Sequence, residues 1–292
     1  MLSGPDIARC FSRIVFASLF LFVDAVCAPW AAADEGQSAI RWSGQADLSL
    51  MDFDYREYDD AGRLLDRESG TIPGVVLNLV AAMDRWALGG LFSWHANDVL
   101  YDGHTTTDIP IRTRTQENIV DTSVRIERRL GSAATSGLTL YGGFGYRYWG
   151  REIRPTYTSS GQAVDGLFEM YHWKYFFFGG NTAVYRTGRS RWGLDVRVLR
   201  PYRPTVEVDF RGRNDNIILD LGERTGWRVA FPWEYRTDQR TRLVVEPYGE
   251  GWDMGRSPTA TLTQYGVPVT NVYEPRSTTR NTGLAVGIRH IF

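Results

Sequence analysis

Ten stretches of this 292-residue sequence alternate apolar with polar side chains at a period of two, and the links between them alternate between long and short. Ile40–Asp54 is the cleanest. Ile40, Trp42, Gly44, Ala46, Leu48 and Leu50 are interleaved with Arg41, Ser43, Gln45, Asp47 and Ser49. Successive side chains of a strand point to opposite faces, so such a segment divides two different environments. The same pattern predicts strands over Pro73–Met83, Trp86–Asn97, Glu117–Leu130, Leu138–Trp149, Phe168–Arg186, Trp192–Val198, Trp227–Phe231, Arg240–Asp253 and Ser277–Phe292. Even-numbered links run two to seven residues, while odd-numbered ones run roughly seventeen or more. Loops beyond about 12–15 residues are uncommon in compact soluble domains. A transmembrane barrel, by contrast, has short turns at one end and long loops at the other. Arg200–Gly226 is ambiguous: Val206, Val208 and Phe210 alternate with Glu207 and Asp209, either as wall strand or as a hairpin within a loop.

The last stretch sharpens this reading. Leu284, Val286, Ile288, His290 and Phe292 form one face, and Asn281, Gly283, Ala285, Gly287, Arg289 and Ile291 the other. Alternating hydrophobic positions ending in Phe292 resemble the closing strand of bacterial outer-membrane β-barrel proteins, although His290 stands where that family favours an aromatic. The resemblance implies an all-β, antiparallel up-and-down transmembrane barrel of about ten strands, within bounds of eight to twelve, with long extracellular loops and short periplasmic turns. It also implies lipid and lipopolysaccharide as surroundings, and the barrel-assembly machinery as a partner reached through the strand ending in Phe292. Closure has a physical cause. In lipid every backbone donor and acceptor needs an internal partner, and an open edge would leave a row of them bare.

Arg9 and Arg13, the apolar run Ile14–Ala28 and the small residues Ala31 and Ala33 read as a secretory signal peptide over 1–33, which leaves 34–292 as a single barrel domain. Both cysteines, Cys10 and Cys27, fall in the leader, so the mature chain is expected to lack disulfides and cysteine metal sites. No cofactor is expected. With 33 basic and 34 acidic side chains there is no positive excess to hold a nucleic acid. The mean hydropathy of -0.30 excludes a bundle of membrane helices but not a barrel, in which half of each strand faces a polar interior.

Aromatic residues fall in two tiers. Trp42, Trp86, Trp192 and Phe292 lie near the short turns, and Trp94, Tyr148, Trp173 and Trp227 near the long loops. This is the placement of membrane-interface girdles. The polar faces assign to the lumen Arg41, Asp47, Asp121, Arg125, Glu127, Arg129, Arg147, Lys174, Asp195, Arg197, Arg228, Glu246, Glu250 and Arg289. Mixed signs suggest charges paired across a narrow interior rather than a one-sign selectivity ring. Ten strands sit close to the eight whose interior is filled by side chains.

Two functional readings follow. In the first, the barrel has a narrow or largely filled polar lumen and acts as a limited porin-like channel or through its surface loops. In the second, it is an outer-membrane hydrolase. In length and strand count the chain resembles the omptin proteases, whose sites combine an Asp pair with an Asp–His pair at the outer rim. Asp52-Phe53-Asp54 and Asp102-Gly103-His104 offer carboxylates and a His that could activate water, though in different loops and order. Read plainly, Asp52 and Asp54 are solvated rim charges and Asp102-Gly103 is a turn. Ser93 and His95 share a lumen face, which admits a lipid-modifying esterase, but no acidic partner is assignable. His172 reads as a lumen or interface residue and His290 as a residue of the periplasmic interface, and no metal-ligand spacing joins the histidines.

Overall fold

The computed structural model describes residues 40–105, 108–130 and 137–292. The leader assigned to 1–33 lies outside these residues. The wall is a closed antiparallel sheet of ten strands. They are β1 (Arg41–Tyr58), β2 (Leu64–Met83), β3 (Trp86–His104), β4 (Pro110–Leu130), β5 (Leu138–Ile153), β6 (Leu167–Thr187), β7 (Ser190–Asp209), β8, β9 (Thr241–Gly255) and β10 (Arg276–Ile291). Strand β8 is broken into Ile217–Asp220, Gly222–Glu223, Gly226–Ala230 and Trp233–Arg236. Three of these segments pair with β7 in one continuous register, from Ile217 opposite Val208 to Trp233 opposite Trp192. The ambiguous region around Arg200–Gly226 is therefore wall, not an independent hairpin. The seam joins β1 to β10 from Ser43↔Ile291 to Tyr58↔Arg276, so neither terminal strand leaves an open edge.

The strands are longer than the sequence pattern suggests. The stretch between Asp54 and Pro73, expected as a polar loop, is the continuation of β1 and β2, with a tight turn at Asp59–Arg63 held by backbone hydrogen bonds of 3.0 Å. Likewise β3 and β4 stay paired out to His104↔Pro110. The period of two persists through Phe53, Tyr55 and Glu57, all buried, while the charges between them face outward. The charge density that suggests a loop is the outward side of a sheet that continues past the apolar part of the strands.

The outer face carries an apolar belt. Leu48, Leu88, Val124, Phe144, Phe176 and Ile288 are among the exposed large hydrophobics. An exposed apolar surface of this extent on a closed barrel is a lipid-facing one. Trp42, Trp86, Trp192 and Phe292 edge the belt on the short-turn side, and Trp94, Tyr148 and Trp227 on the other.

Trp173 does not belong to that girdle, and Lys174 does not line the lumen. Trp173 is 3 % exposed inside the barrel, whereas Lys174 stands on the outer face opposite Tyr146 and Tyr202. The centre of β6 is apolar on both sides, so its own pattern does not set the phase. Glycines on β5 do. A Cβ at Gly145 would fall on the ring of Tyr175, and one at Gly143 on the ring of Phe177, so the odd-numbered aromatics turn inward over bare backbone. Lys174 is left at the upper aromatic tier, where its stem can lie along apolar surface with its charge in water. Arg41 is also no lumen residue. It is exposed at the short-turn edge, one step beyond Ser43, which does line the interior.

Candidate functional site

The interior has two halves of different chemistry. From the short-turn end a cavity of about 610 Å³ reaches up to Met51, Ile119, Tyr175, Leu199 and Trp252. Among the described residues that line it, eleven are arginine and seven are aspartate or glutamate. Most of the charges assigned to the lumen from sequence are found here, and they pair across strands. Arg147 reaches Asp121 at 2.7 Å and Glu250 at 3.4 Å, and Arg228 reaches Glu246 at 3.0 Å and Glu250 at 3.2 Å. Arg125 is joined to Glu127 along its own strand at 2.6 Å.

Above this cavity the barrel is filled. Phe53, Trp149, Trp173 and Trp252 meet around a void of about 10 Å³. Trp252 packs edge-on against Trp173 and Tyr175, with ring centroids 5.5 Å and 5.3 Å apart, and the Arg147 guanidinium lies 4.5 Å from the Trp252 ring centroid. The next layer holds Tyr55, Trp149 and Tyr171, with Trp149 and Tyr171 stacked at 4.8 Å. The expected polar interior is thus confined to the short-turn half. The far half is an aromatic core, extended by Val206, Val208, Leu219 and Leu221.

Inside that core sits Arg151, 1 % exposed in its side chain and paired with Glu57, Glu68 and Glu169 at 3.2, 3.0 and 2.6 Å. Its guanidinium also faces the rings of Tyr55, Trp149 and Tyr171 at 4.3, 5.4 and 5.7 Å. Glu117, which accepts from the Trp149 indole, and Glu274, which accepts from Tyr171, are buried beside it. Asp66 accepts from Tyr101 at 3.4 Å. Six carboxyl groups therefore crowd one guanidinium. They do not all carry charge. Burial, then the negative charge of Glu57, pushes Asp66 and Glu274 well up. Burial and Glu68 do the same to Glu117, and burial raises Glu169 to about 7 against the pull of Arg151. Burial would raise Glu68 as well, but Arg151 and the hydrogen bonds around it hold it below the usual range. Glu68 is the carboxylate that Arg151 grips with two nitrogens.

The short-turn mouth shows the opposite arrangement. Glu234, on the last segment of β8, is contacted by Arg289 at 2.7 Å, Arg242 at 2.7 Å and Arg191 at 3.5 Å. Arg186, Arg189 and Arg236 line the same mouth. One carboxylate among several guanidiniums at one end thus answers one guanidinium among six carboxyls at the other.

The proposed Asp–His constellation is not assembled. Asp52, Asp54, Asp102 and His104 all lie on the outer face of the sheet extension, because they share the phase of the outward positions of β1 and β3. Asp54 is held by Arg56 at 2.7 Å and by Arg67, Asp102 by Arg112 at 3.0 Å, and His104 Nδ1 lies 3.1 Å from the carbonyl of Leu65. Ser93 and His95 both line the cavity, but His95 Nε2 is 3.1 Å from Ser49 Oγ, which in turn is 3.3 Å from the Tyr248 hydroxyl. His172 faces outward, 2.7 Å from the Tyr146 hydroxyl. No group of three or more His, Cys, Asp or Glu able to hold a metal ion occurs among the described residues. The Arg151 cluster and the Glu234 cluster were not anticipated. A signal existed for the first: Tyr55 and Glu57 beyond Asp54, and Arg151 beyond Trp149, keep the inward phase past the expected strand ends.

Comparison with family models and with curated proteins found no match. Comparison with solved structures found outer-membrane barrels. The outer-membrane protease OmpT from Escherichia coli superposes with a TM-score of 0.56 at 13 % identity, over 86 % of this chain and 97 % of that one. OprG from Pseudomonas aeruginosa gives 0.39 at 8 % identity, over 89 % and 99 %. AlkL gives 0.36 at 9 % identity, over 91 % and 96 %. The first likeness establishes a shared fold, that of an outer-membrane β-barrel, and the two below 0.5 carry no argument.

Proposed function

We propose that this chain sits in the outer membrane as a sealed barrel, with its short turns in the periplasm and its sheet extension outside, and that it works through its external surface rather than by conducting solutes. One observation carries this reading. The outer half of the lumen is packed shut by Phe53, Tyr55, Trp149 and Tyr171, none more than 4 % exposed, around the enclosed Arg151. Opening a path would require unstacking those rings and baring a charge cluster in the same movement.

The exposed end is tied down by its own contacts. The hairpin Ala260–Gln264/Val267–Val272 folds over the opening, with Leu262 buried and Ala260 packed on the core. Asp215 ties it down by accepting from Thr263 Oγ1 at 2.6 Å and from the backbone N–H groups of Tyr265 and Gly266 at 3.1 and 2.8 Å. At its tip Tyr265 is 86 % exposed. A crown pinned in this way presents a fixed surface, which suits recognition by contact. Reconstitution into planar bilayers is the test. The purified barrel is expected to leave the bilayer silent, and large, stable, ohmic openings would overturn the reading.

A further inference from the structure

We propose that the arginine-lined cavity at the short-turn end is a binding site for a phosphate-bearing anion. This goes beyond the sealed-barrel reading and is tested by binding, not by conductance, so the two can fail separately.

Charge is the first argument. Glu234 is a single acceptor shared by three guanidiniums, with ion-pair distances of 2.7, 2.7 and 3.5 Å. A carboxylate offers two oxygens, whereas each guanidinium presents five donors in a rigid fork. Gln45 Oε1 accepts from Arg289 Nε at 2.8 Å, and the cluster is still short of acceptors. Arg191 shows this directly, because its Nε is buried without a hydrogen-bond partner. Arg197 Nε, deeper in the same cavity, is likewise unpartnered. Arg189 and Arg236 bring further positive charge to the same cavity, whose described lining holds eleven arginines against seven acidic residues.

Space is the second. The cavity of about 610 Å³ falls in the ~300–1,000 Å³ range of ligand pockets and opens at the end where these arginines lie. A tetrahedral phosphoryl group, with up to three anionic or acceptor oxygens, is the ligand chemistry that several convergent guanidinium forks satisfy together. A planar monocarboxylate would only duplicate Glu234. The phosphoryl group could belong to a soluble phosphorylated solute or to the headgroup of an anionic glycerophospholipid in the adjoining leaflet. The chemistry at Arg191, Arg242 and Arg289 is the same for both.

The experiment uses the whole barrel, refolded in dodecyl maltoside, which contains no phosphate, with calorimetric titration at constant ionic strength against a chloride background. The two probes are inorganic phosphate and monomeric dihexanoyl-phosphatidylglycerol. Saturable binding of phosphate alone assigns a soluble ligand, and binding of the lipid only assigns a headgroup. Either supports the site. Arg242→Gln and Arg191→Gln should each weaken binding by about tenfold, whereas Glu234→Gln, which removes the internal competitor, should tighten it by about tenfold. No saturable heat from either probe, or binding that Glu234→Gln leaves unchanged or weakens, overturns the proposal. Should Glu234→Gln fail to refold, unchanged binding in both arginine variants does so.

Discussion

Arg151 and Glu68 meet side-on in full enclosure: Nη2 lies 3.0 Å from Oε1 and Nε 3.2 Å from Oε2, with side chains 1 % and 0 % exposed. Such a pair is weak evidence of net stabilisation, because two charges have left water, but breaking it from one side strands the other. Arg151→Met should therefore cost about 3–5 kcal/mol, and adding Glu68→Gln should restore part of the loss instead of doubling it. The temperature at which heat-modifiable gel mobility is lost measures both. Simple additivity of the two substitutions would contradict the paired geometry.

The carboxyls around this pair make a pH prediction. Asp66, Glu117 and Glu274 lie above their ordinary values through burial, and Glu169 lies at about 7. A raised native pKa means that the folded chain holds a proton the unfolded one has released. Stability is then fully present below the unfolded value of ~4.3 and is lost as pH rises through the native value. Glu68, held low, acts in the opposite sense and loses its contribution in stronger acid. The unfolding midpoint should be higher at about pH 5 than at about pH 8. Glu169→Gln should flatten that difference, and a midpoint that rises steadily toward pH 8 would refute it.

The layer below the seal can be opened by design. Trp173 and Trp252, 5.5 Å apart, separate the large cavity from the small void above it. The double substitution to Ala should cost about 3–5 kcal/mol per ring and join the two spaces. In planar bilayers the variant should stay silent, because Phe53, Tyr55, Trp149 and Tyr171 still close the outer half. Openings in a variant shown to be folded would place part of the seal at Trp173 and Trp252.

Gly145 is required by its neighbour across the strand pair. A side chain there would displace the Tyr175 ring, whose hydroxyl donates to Asp121 at 2.6 Å, and Asp121 in turn holds Arg147 at 2.7 Å. Gly145→Val should destabilise by about 1–3 kcal/mol through overpacking. Gly90, with nothing near its Cβ position, should accept Ala without such a cost. Equal midpoints for the two variants would dismiss the argument.

Asp54→Ala and His104→Ala should change stability by no more than about 1 kcal/mol, since Asp54 loses ion pairs on the outer face that are in part open to water and His104 an exposed hydrogen bond. Neither should affect any peptide-cleaving activity of the purified protein. Abolished cleavage in both would return these residues to a catalytic role.

How far the sequence could be read depended on what each face touched. Along Ile40–Leu50 the outside is lipid and the inside wet, so composition alone separates the faces. Beyond Asp52 water lies outside and aromatic core inside. Glu57, Glu68 and Arg151 break the pattern on the buried face, and the extension passes for a loop. At Tyr175–Phe178 both faces are apolar, and the phase is set by Gly143 and Gly145 on another strand. The Arg151 cluster draws on five strands and the loop before β10, and the Glu234 cluster on four strands. Their members converge through the stagger between neighbouring strands, which no single stretch of sequence contains.

The opposed clusters at Glu234 and Arg151 give the barrel an electrical direction along its axis. Fixed charge that changes sign along a narrow conduit favours current of one polarity and starves the other. Any variant that breaches the seal should therefore behave as a rectifier: its current–voltage curve will bend, and reversing the bilayer orientation will reverse the bend.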